Sequence, residues 1–248
     1  LVRSRGLGDV YKRQEFKMAF DPTKYKVTSA KPLPVILLLD VSGSMDGEKI
    51  NNLYDATIDM IDTFSDSNSR EISIEVAIIT FGNEVKLYNE STPYMKATEL
   101  KNQGLVPFKA NGLTPLGTAL RMAKDIIEDK DLTPSKVYRP AVVLVSDGQP
   151  TDNWQEPLDK FINDGRSKKC QRFAIAIGTD VDKSVLEKFV GDYKNLFEAE
   201  EAKDIEKVFK TVTMSVSMRA KSQNPNSVIS VNNKFDENPD NDDEDDLI

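Results

Sequence analysis

Three hard oxygen donors follow the first strongly apolar run of the chain. The run Leu33–Leu39 leads into Asp40, and hydroxyl groups follow at Ser42 and Ser44. Such a run is typical of a buried strand, and a sharp turn after it would bring the carboxylate and both hydroxyls into a small volume. Carboxylate and hydroxyl oxygens suit Mg²⁺ or Mn²⁺ better than Zn²⁺ or copper. The first hypothesis is therefore a site for a hard divalent cation.

Two further loops could complete such a site. Thr114 begins a helical pattern, and Asp147 directly follows the apolar strand Arg139–Ser146. In an open α/β sheet, ligands bind beyond the carboxyl ends of the strands, where the strand order reverses, and Asp40 and Asp147 both occupy such ends. Each loop alone has an ordinary explanation, because Thr114 can be the N-cap of its helix and Asp147 can be part of a turn.

Strand and helix patterns alternate along most of the chain. The predicted order is strand Leu33–Leu39, helix Glu48–Phe64, strand Ile72–Phe81, short pairing strand Val85–Tyr88, helix Thr114–Glu128, strand Arg139–Ser146, helix Glu156–Lys168, strand Arg172–Ile177, helix Asp182–Val190, strand Asn195–Glu198 and helix Ala202–Met218. Residues 89–113 are predicted to be irregular. The alternation indicates an α/β fold with a Rossmann-like, doubly wound, mostly parallel sheet, one short antiparallel strand and helices on both faces.

The two ends of the chain differ from this pattern. Residues 1–32 are predicted to be an N-terminal extension, and residues 1–17 are expected to be non-native because they contain the string DVYKRQ, which resembles a translated sequencing adaptor. Residues 33–218 form the predicted domain. Residues 219–248 form a predicted acidic disordered tail, in which residues 236–248 carry eight acids and no base.

Composition excludes several classes of function. The 248 residues include no histidine and one cysteine, Cys170, so neither a Cys/His zinc site nor a Ser-His-Asp catalytic set can be built. The net charge of −8 comes mainly from the tail, and no basic stripe indicates nucleic-acid binding. No apolar run reaches the roughly 20 residues of a membrane span, and no signal-peptide pattern is visible. We therefore expect a cytoplasmic protein that binds neither nucleic acid nor membrane.

Taken together, the three loops resemble a known metal site. The sequence LDVSGSM with Asp40, Ser42 and Ser44, the sequence GLTPLGTAL with Thr114, and Asp147 at the end of an apolar strand resemble the metal-ion-dependent adhesion site (MIDAS) of von Willebrand factor A (vWA) domains. The resemblance covers residues 33–218 and implies the vWA fold. It also implies that these five residues are the ligands of Mg²⁺ or Mn²⁺.

The resemblance also has implications for the partner. In vWA domains with this site, an acidic residue of the ligand docks on the metal. The chain is therefore predicted to be a protein-interaction module and not an enzyme, with a protein partner that offers a carboxylate. The sequences LDVSGSM and TPLGTAL are most similar to the bacterial TerY-type group of tellurium-resistance proteins. This similarity implies a cytoplasmic adaptor in a stress-response system, with kinase or phosphatase partners.

Two alternatives stay open. Some bacterial members of the wider family regulate an AAA+ ATPase, and this chain could be such a regulatory partner. The enzyme alternative is an Mg²⁺-dependent phosphohydrolase, because an aspartate at a strand end resembles such sites. The haloacid-dehalogenase pattern needs a second acid two residues after its nucleophile, and Ser42 occupies that position. No Walker A loop or GxGxxG fingerprint is present, and the absence of histidine removes the commonest general base.

Overall fold

The computed structural model describes residues 30–179 and 181–227. The strands in these ranges are β1 (Lys31–Asp40), β2 (Ile72–Phe81), β3 (Val85–Leu87), β4 (Met95–Lys96), β5 (Ala141–Ser146), β6 (Gln171–Ile177) and β7 (Leu196–Ala199). The α-helices are α1 (Glu48–Asp66), α2 (Ala97–Gln103), α3 (Leu116–Glu128), α4 (Gln155–Asn163), α5 (Ser184–Val190) and α6 (Asp204–Lys221). Most of the predicted N-terminal extension and most of the predicted tail lie outside the described residues.

A single sheet joins these strands in the order β3-β2-β1-β5-β6-β7, with β4 also paired to β2. β1 is parallel to both β2 and β5, and β6 is parallel to both β5 and β7. β3 and β4 run antiparallel to β2. The chain first builds outward on one side of β1 and then on the other, so the strand order reverses between β1 and β5. The predicted doubly wound α/β sheet is confirmed.

Helices cover both faces of the sheet. On one face, α1, α2 and α6 share an apolar core with Leu37 and Leu39 of β1. On the other face, α3, α4 and α5 share a core with Ile36 and Leu38. Because both faces are covered, β1 is apolar at successive positions rather than at alternate ones. Packing from both sides therefore positions the carboxyl end of β1. None of the helices in the described ranges is long and apolar enough to cross a membrane.

The prediction that residues 89–113 are irregular was wrong. This segment contains β4 and α2, and α2 packs against α1. The side chains of Met95, Ala97 and Leu100 are buried. A helix of seven residues offers too few apolar positions for a helical period to be recognised, so packing against α1 rather than local sequence defines it.

Two helix ends also differ from their predictions. α4 ends at Asn163 instead of Lys168, and a short 3-10 turn, Ser167–Lys169, follows it. α6 continues to Lys221, beyond the predicted end of the domain at residue 218. Arg219 is fully buried, so the first residues of the predicted disordered tail belong to the folded core.

Candidate metal centre

Asp40 is the last residue of β1, and it is fully buried. Its Oδ1 accepts a hydrogen bond from the backbone N–H of Ser42 at 2.9 Å, and its Oδ2 accepts one from Ser146 Oγ at 2.6 Å. Burial raises the pKa of Asp40, the hydrogen bonds from Ser146 and Ser42 oppose this rise, and the charge of Asp147 adds to it. None of the described lysine and arginine side chains forms an ion pair with Asp40. A bound cation would supply the missing charge.

The turn after β1 brings two hydroxyls beside the end of β5. Residues Gly43–Met45 form one 3-10 turn, and the N–H of Gly43 donates to the carbonyl oxygen of Gly112 at 3.0 Å. Ser42 Oγ and Ser44 Oγ lie 3.0 Å apart. Ser44 Oγ donates to Asp147 Oδ1 at 2.6 Å. These contacts join the first and third candidate loops directly.

Thr114 lies in the loop before α3 and is buried. The prediction that it caps this helix was wrong, because Pro115 occupies the N-cap position and no side chain there forms a capping bond. Asp152 caps the helix instead, since its two carboxylate oxygens accept hydrogen bonds from the N–H groups of Gly117 and Thr118, each at 2.8 Å. Thr114 Oγ1 forms no hydrogen bond with any described residue. Its hydroxyl therefore remains available for a ligand.

Gly148 leaves a space open beside these hydroxyls. A Cβ atom built on Gly148 would lie 3.7 Å from Thr114 Oγ1 and 3.8 Å from Ser44 Oγ. Both hydroxyls therefore face the same small volume. A methyl group could be added there at ordinary contact distance, whereas a larger side chain would fill the volume.

Asp147 follows β5, and its side chain is only 1% exposed. Its Oδ2 forms an ion pair with Lys49 Nζ at 2.6 Å. Lys49 belongs to the first turn of α1 and also donates to the carbonyl oxygen of Ser44 at 3.4 Å. Neither Lys49 nor Ser146 was predicted from the sequence to be part of this site. Ser146 had only its position at the end of an apolar strand as a signal, and Lys49 is indistinguishable from any lysine on a helix.

The grouped side chains are chemically suited to a hard divalent cation. The structure places all five predicted ligands at the carboxyl ends of β1 and β5 or in the loop before α3: Asp40, Ser42, Ser44, Thr114 and Asp147. They offer two carboxylates and three hydroxyls, the oxygen donors that Mg²⁺ and Mn²⁺ favour. Among the described residues, no group of three or more His, Cys, Asp and Glu side chains could hold a metal ion. The site therefore depends on its hydroxyls as much as on its acids.

Comparison with known proteins identifies the family. The von Willebrand factor type A domain profile matches residues 35–211, and the chain belongs to this family. The matched region includes all five candidate ligands. Among characterised relatives, heavy chain 4 of the mouse inter-alpha-trypsin inhibitor is 26% identical over 167 residues, which are 64% of this chain and 17% of the mouse protein. The similarity therefore concerns less than a fifth of that relative.

Solved structures share the fold at lower sequence identity. Proximal thread matrix protein 1 from the mussel byssus is 19% identical with a TM-score of 0.60, over 75% of this chain and 48% of the mussel chain. In that structure the MIDAS motif of the mussel protein is occupied by zinc. The pilus adhesin SpaC from Lactobacillus rhamnosus GG is 13% identical with a TM-score of 0.59, over 76% of this chain and 31% of the adhesin. At these identities the similarity establishes the fold alone.

Proposed function

We propose that this vWA domain binds one divalent cation, Mg²⁺ or Mn²⁺, and uses it to bind a carboxylate of a protein partner. The proposed metal ligands are Asp40, Ser42, Ser44, Thr114 and Asp147. The observation that supports this most strongly is the grouping of two enclosed carboxylates with three hydroxyls, two of which, those of Ser44 and Thr114, face the space beside Gly148. The family membership of residues 35–211 is consistent with an interaction module.

Each side chain has a distinct part in the proposed site. Asp40 supplies negative charge, and its orientation is held by Ser146 Oγ and the N–H of Ser42. Asp147 supplies the second negative charge. Thr114 can offer its hydroxyl because Asp152 satisfies the helix N-terminus in its place. When bound, the ion would supply an electrophilic position for a partner's carboxylate. The two carboxylates of the site cancel the charge of the ion only formally, and its other proposed ligands are neutral hydroxyls.

The identity of the metal follows from the type of ligand. Oxygen-only donor sets favour Mg²⁺ and Mn²⁺, whereas zinc sites in proteins are usually built from Cys and His. The zinc in the MIDAS motif of the mussel protein makes zinc the appropriate competitor to test. We expect calorimetric titration of the metal-free chain to give one site for Mg²⁺ and for Mn²⁺. Tight zinc binding with no detectable Mg²⁺ or Mn²⁺ binding would contradict this assignment.

A peptide selection tests the chemistry of the partner before the partner is known. Random peptides displayed on phage are selected on the full chain in Mg²⁺. We expect the enriched peptides to contain an Asp or Glu, and to lose binding when that acid is changed to its amide or when EDTA is added. Binding should be lost in Asp40→Ala and kept in Asp46→Ala, whose side chain is exposed. Enrichment of peptides without an acid, or binding that is unchanged by EDTA, would contradict the proposal.

The cellular role is a finer proposal that rests on the sequences LDVSGSM and TPLGTAL. It is a cytoplasmic bacterial adaptor in a tellurium-resistance-like stress response, with a kinase or phosphatase as its partner. An AAA+ ATPase is the alternative partner. Genes that neighbour this protein's own gene supply the candidates, and each product can be tested for Mg²⁺-dependent binding to the purified chain. Binding of an AAA+ ATPase but of no kinase or phosphatase would favour the alternative.

The phosphohydrolase alternative makes the opposite prediction. The relatives described above are an inhibitor heavy chain, a thread matrix protein and a pilus adhesin, which fits a non-enzymatic role. We expect no turnover of p-nitrophenyl phosphate by the chain in Mg²⁺. Turnover that disappears in Asp40→Ala would show instead that the site is catalytic.

A further inference from the structure

The amino end of the sheet contains a basic pocket of about 460 Å³. Its bases are Lys130, Arg139, Arg166 and Lys169, and no acidic side chain is among the described residues that line it. Arg139 precedes β5 and Lys169 precedes β6. Parallel strands place their amino ends together, so this pocket lies at the opposite end of the sheet from the candidate metal centre.

None of the four bases of this pocket forms an ion pair with a described residue. Lys130 and Lys169 are exposed. Arg166 donates to the carbonyl oxygen of Ile127 at 2.7 Å. The carboxylate of Glu128, which lies nearby, is already engaged by Lys124 and by the N–H of Arg166. The pocket therefore has a positive potential that an anionic ligand would lower.

A buried arginine adds to this charge. Arg219 of α6 is fully buried. Its Nη1 donates to Gln171 Oε1 at 2.6 Å, and its Nη2 donates to the carbonyl oxygen of Arg139. Neither acceptor is a carboxylate, and Arg219 Nε has no hydrogen-bond partner among the described residues. The positive charge of Arg219 thus lies uncompensated behind Arg139 and the pocket.

The chain after α6 turns toward the same pocket. The carbonyl oxygen of Asn224 accepts a hydrogen bond from the N–H of Ser227 at 3.0 Å, and Asn224 Oδ1 accepts one from the N–H of Asn226 at 3.2 Å. Asn226 Oδ1 accepts a hydrogen bond from the N–H of Arg139 at 2.8 Å, and Asn226 lines the pocket. The last described residues therefore lie at the wall of the pocket.

We propose that this basic pocket binds the acidic segment 236–246 of the same chain. The segment contains eight acids and no base. It begins nine residues after Ser227, and nine extended residues span about 30 Å, which is ample for a pocket that the chain already borders. Because the segment is tethered, its effective concentration at the pocket is about millimolar, so modest charge pairing is sufficient. The interaction joins two oppositely charged parts of the chain and does not involve the candidate metal centre.

Carbodiimide cross-linking tests this contact, because it joins a lysine amine to a carboxylate only where the two meet. The full chain is treated in metal-free buffer at low ionic strength, and the monomer is digested and mapped by mass spectrometry. We expect links from Lys130 or Lys169 to residues 236–246 to be about tenfold more abundant than links from Lys109, because tethering favours the adjacent site. Lys109 is an exposed lysine near the other end of the sheet. Salt at 0.5 M should remove most of the specific links.

The variant Arg139→Ala tests whether the specific links depend on the charge of the pocket or only on its nearness to the tethered segment. The hydrogen bonds of Arg139 to Asn226 and Arg219 use its backbone, so the substitution leaves them in place. We expect the specific links to fall severalfold while links from Lys109 and the melting temperature stay unchanged. Equal linking of Lys109 and the pocket lysines, unchanged links in Arg139→Ala, or links found only in covalent dimers would each overturn the proposal. The metal-free buffer makes this outcome independent of the proposed metal function.

Discussion

Each end of the sheet contains a buried charged side chain that lacks an oppositely charged partner among the described residues. The surroundings of these two side chains differ. Asp40, at the carboxyl end of β1, accepts hydrogen bonds from Ser42 and Ser146. Arg219, near the amino ends of β5 and β6, donates to Gln171 and to the backbone of Arg139. Both side chains are fully buried. The same scaffold thus supports a negative centre at one end and a positive centre at the other.

The difference lies in what surrounds each charge. Asp40 shares the Ser146 hydroxyl with the carbonyl oxygen of Gly148, and Gly148 leaves an open space beside the unbonded hydroxyl of Thr114, where an external ligand could bind. Arg219 is fully buried and donates to two acceptors of the protein itself, so its role is structural and its charge acts on the neighbouring pocket. This comparison predicts that substitutions at the two ends affect different properties. Changes near Arg219 should alter stability, and changes near Asp40 should alter metal affinity.

The largest expected effect on stability is that of Arg219→Ala. The substitution leaves a cavity and removes the donors that satisfy Gln171 Oε1 and the Arg139 carbonyl oxygen, which should cost about 3 kcal/mol of unfolding free energy. For a domain of this size, that corresponds to a fall in melting temperature of about 6–12 °C. The exposed neighbour Lys221 supplies the control, since Lys221→Ala should change the melting temperature little. A change in Mg²⁺ affinity in Arg219→Ala would contradict the prediction that substitutions at the two ends of the sheet affect different properties.

The second effect concerns Gly148, where the size of the side chain should set the metal affinity. Gly148→Ala places a methyl group at ordinary contact distance from Thr114 Oγ1 and Ser44 Oγ, so Mg²⁺ affinity should change less than about threefold. Gly148→Leu fills the space and should weaken Mg²⁺ binding by at least about tenfold, measured by calorimetry. Both variants should melt close to the parent chain. Equal Mg²⁺ affinity for the Ala and Leu variants would show that the ion does not use this space.

The third effect is a gain in stability when the charge of Asp40 is removed. Because burial raises the pKa of Asp40 in the folded protein, ionisation of this group disfavours the fold as the pH rises from the unfolded pKa through the folded one. Asp40→Asn should therefore raise the melting temperature of the metal-free protein by about 2–4 °C at pH 7. The gain should vanish near pH 3, where both states of the parent carboxyl are protonated. A variant less stable than the parent at pH 7 would contradict this reading, and saturating Mg²⁺ should stabilise only the parent.

The smallest effect is expected at Lys49, whose ammonium group pairs with Asp147 Oδ2 and would compete with the proposed metal ion for it. Lys49→Met keeps the length of the side chain but removes the charge, and should raise Mg²⁺ affinity by up to about fivefold, since a partly exposed ion pair contributes at most about 1 kcal/mol. The measurement is the same calorimetric titration. Lower Mg²⁺ affinity in Lys49→Met would show that Lys49 supports the metal site instead of competing for it.

Much of the fold could be predicted because the signals were local. The strand β2 was predicted with its observed ends, Ile72 and Phe81, since its apolar residues first alternate with polar ones and then follow one another without a break. The three loops with candidate ligands were recognised by residue type at strand and helix ends. The short helix α2 was missed because its stability comes from packing against α1 and not from its own seven residues.

The rest of the site depends on contacts between residues far apart in the chain. Asp152 caps α3 from a position well beyond the end of that helix, and nothing in the local sequence distinguishes it from an ordinary loop acid. Lys49 and Ser146 reach the site only when β1, β5 and α1 are assembled. Arg219 was assigned to the tail because the apolar stripe of the predicted helix ends at Val216 and a charged side chain is rarely fully buried. Local patterns do not contain these long-range contacts.

Titration with Mn²⁺, followed by the electron paramagnetic resonance signal of the free ion, tests the central claim most directly. The proposed site predicts one bound Mn²⁺ per parent chain, displaced by Mg²⁺. Binding should be absent in Asp40→Ala and unchanged in Asp46→Ala, whose acid is exposed and adjacent to the site. Circular dichroism of both variants controls for folding. No bound Mn²⁺ in the parent chain, or equal binding by the parent and Asp40→Ala, would contradict the claim that Asp40 is part of a metal centre.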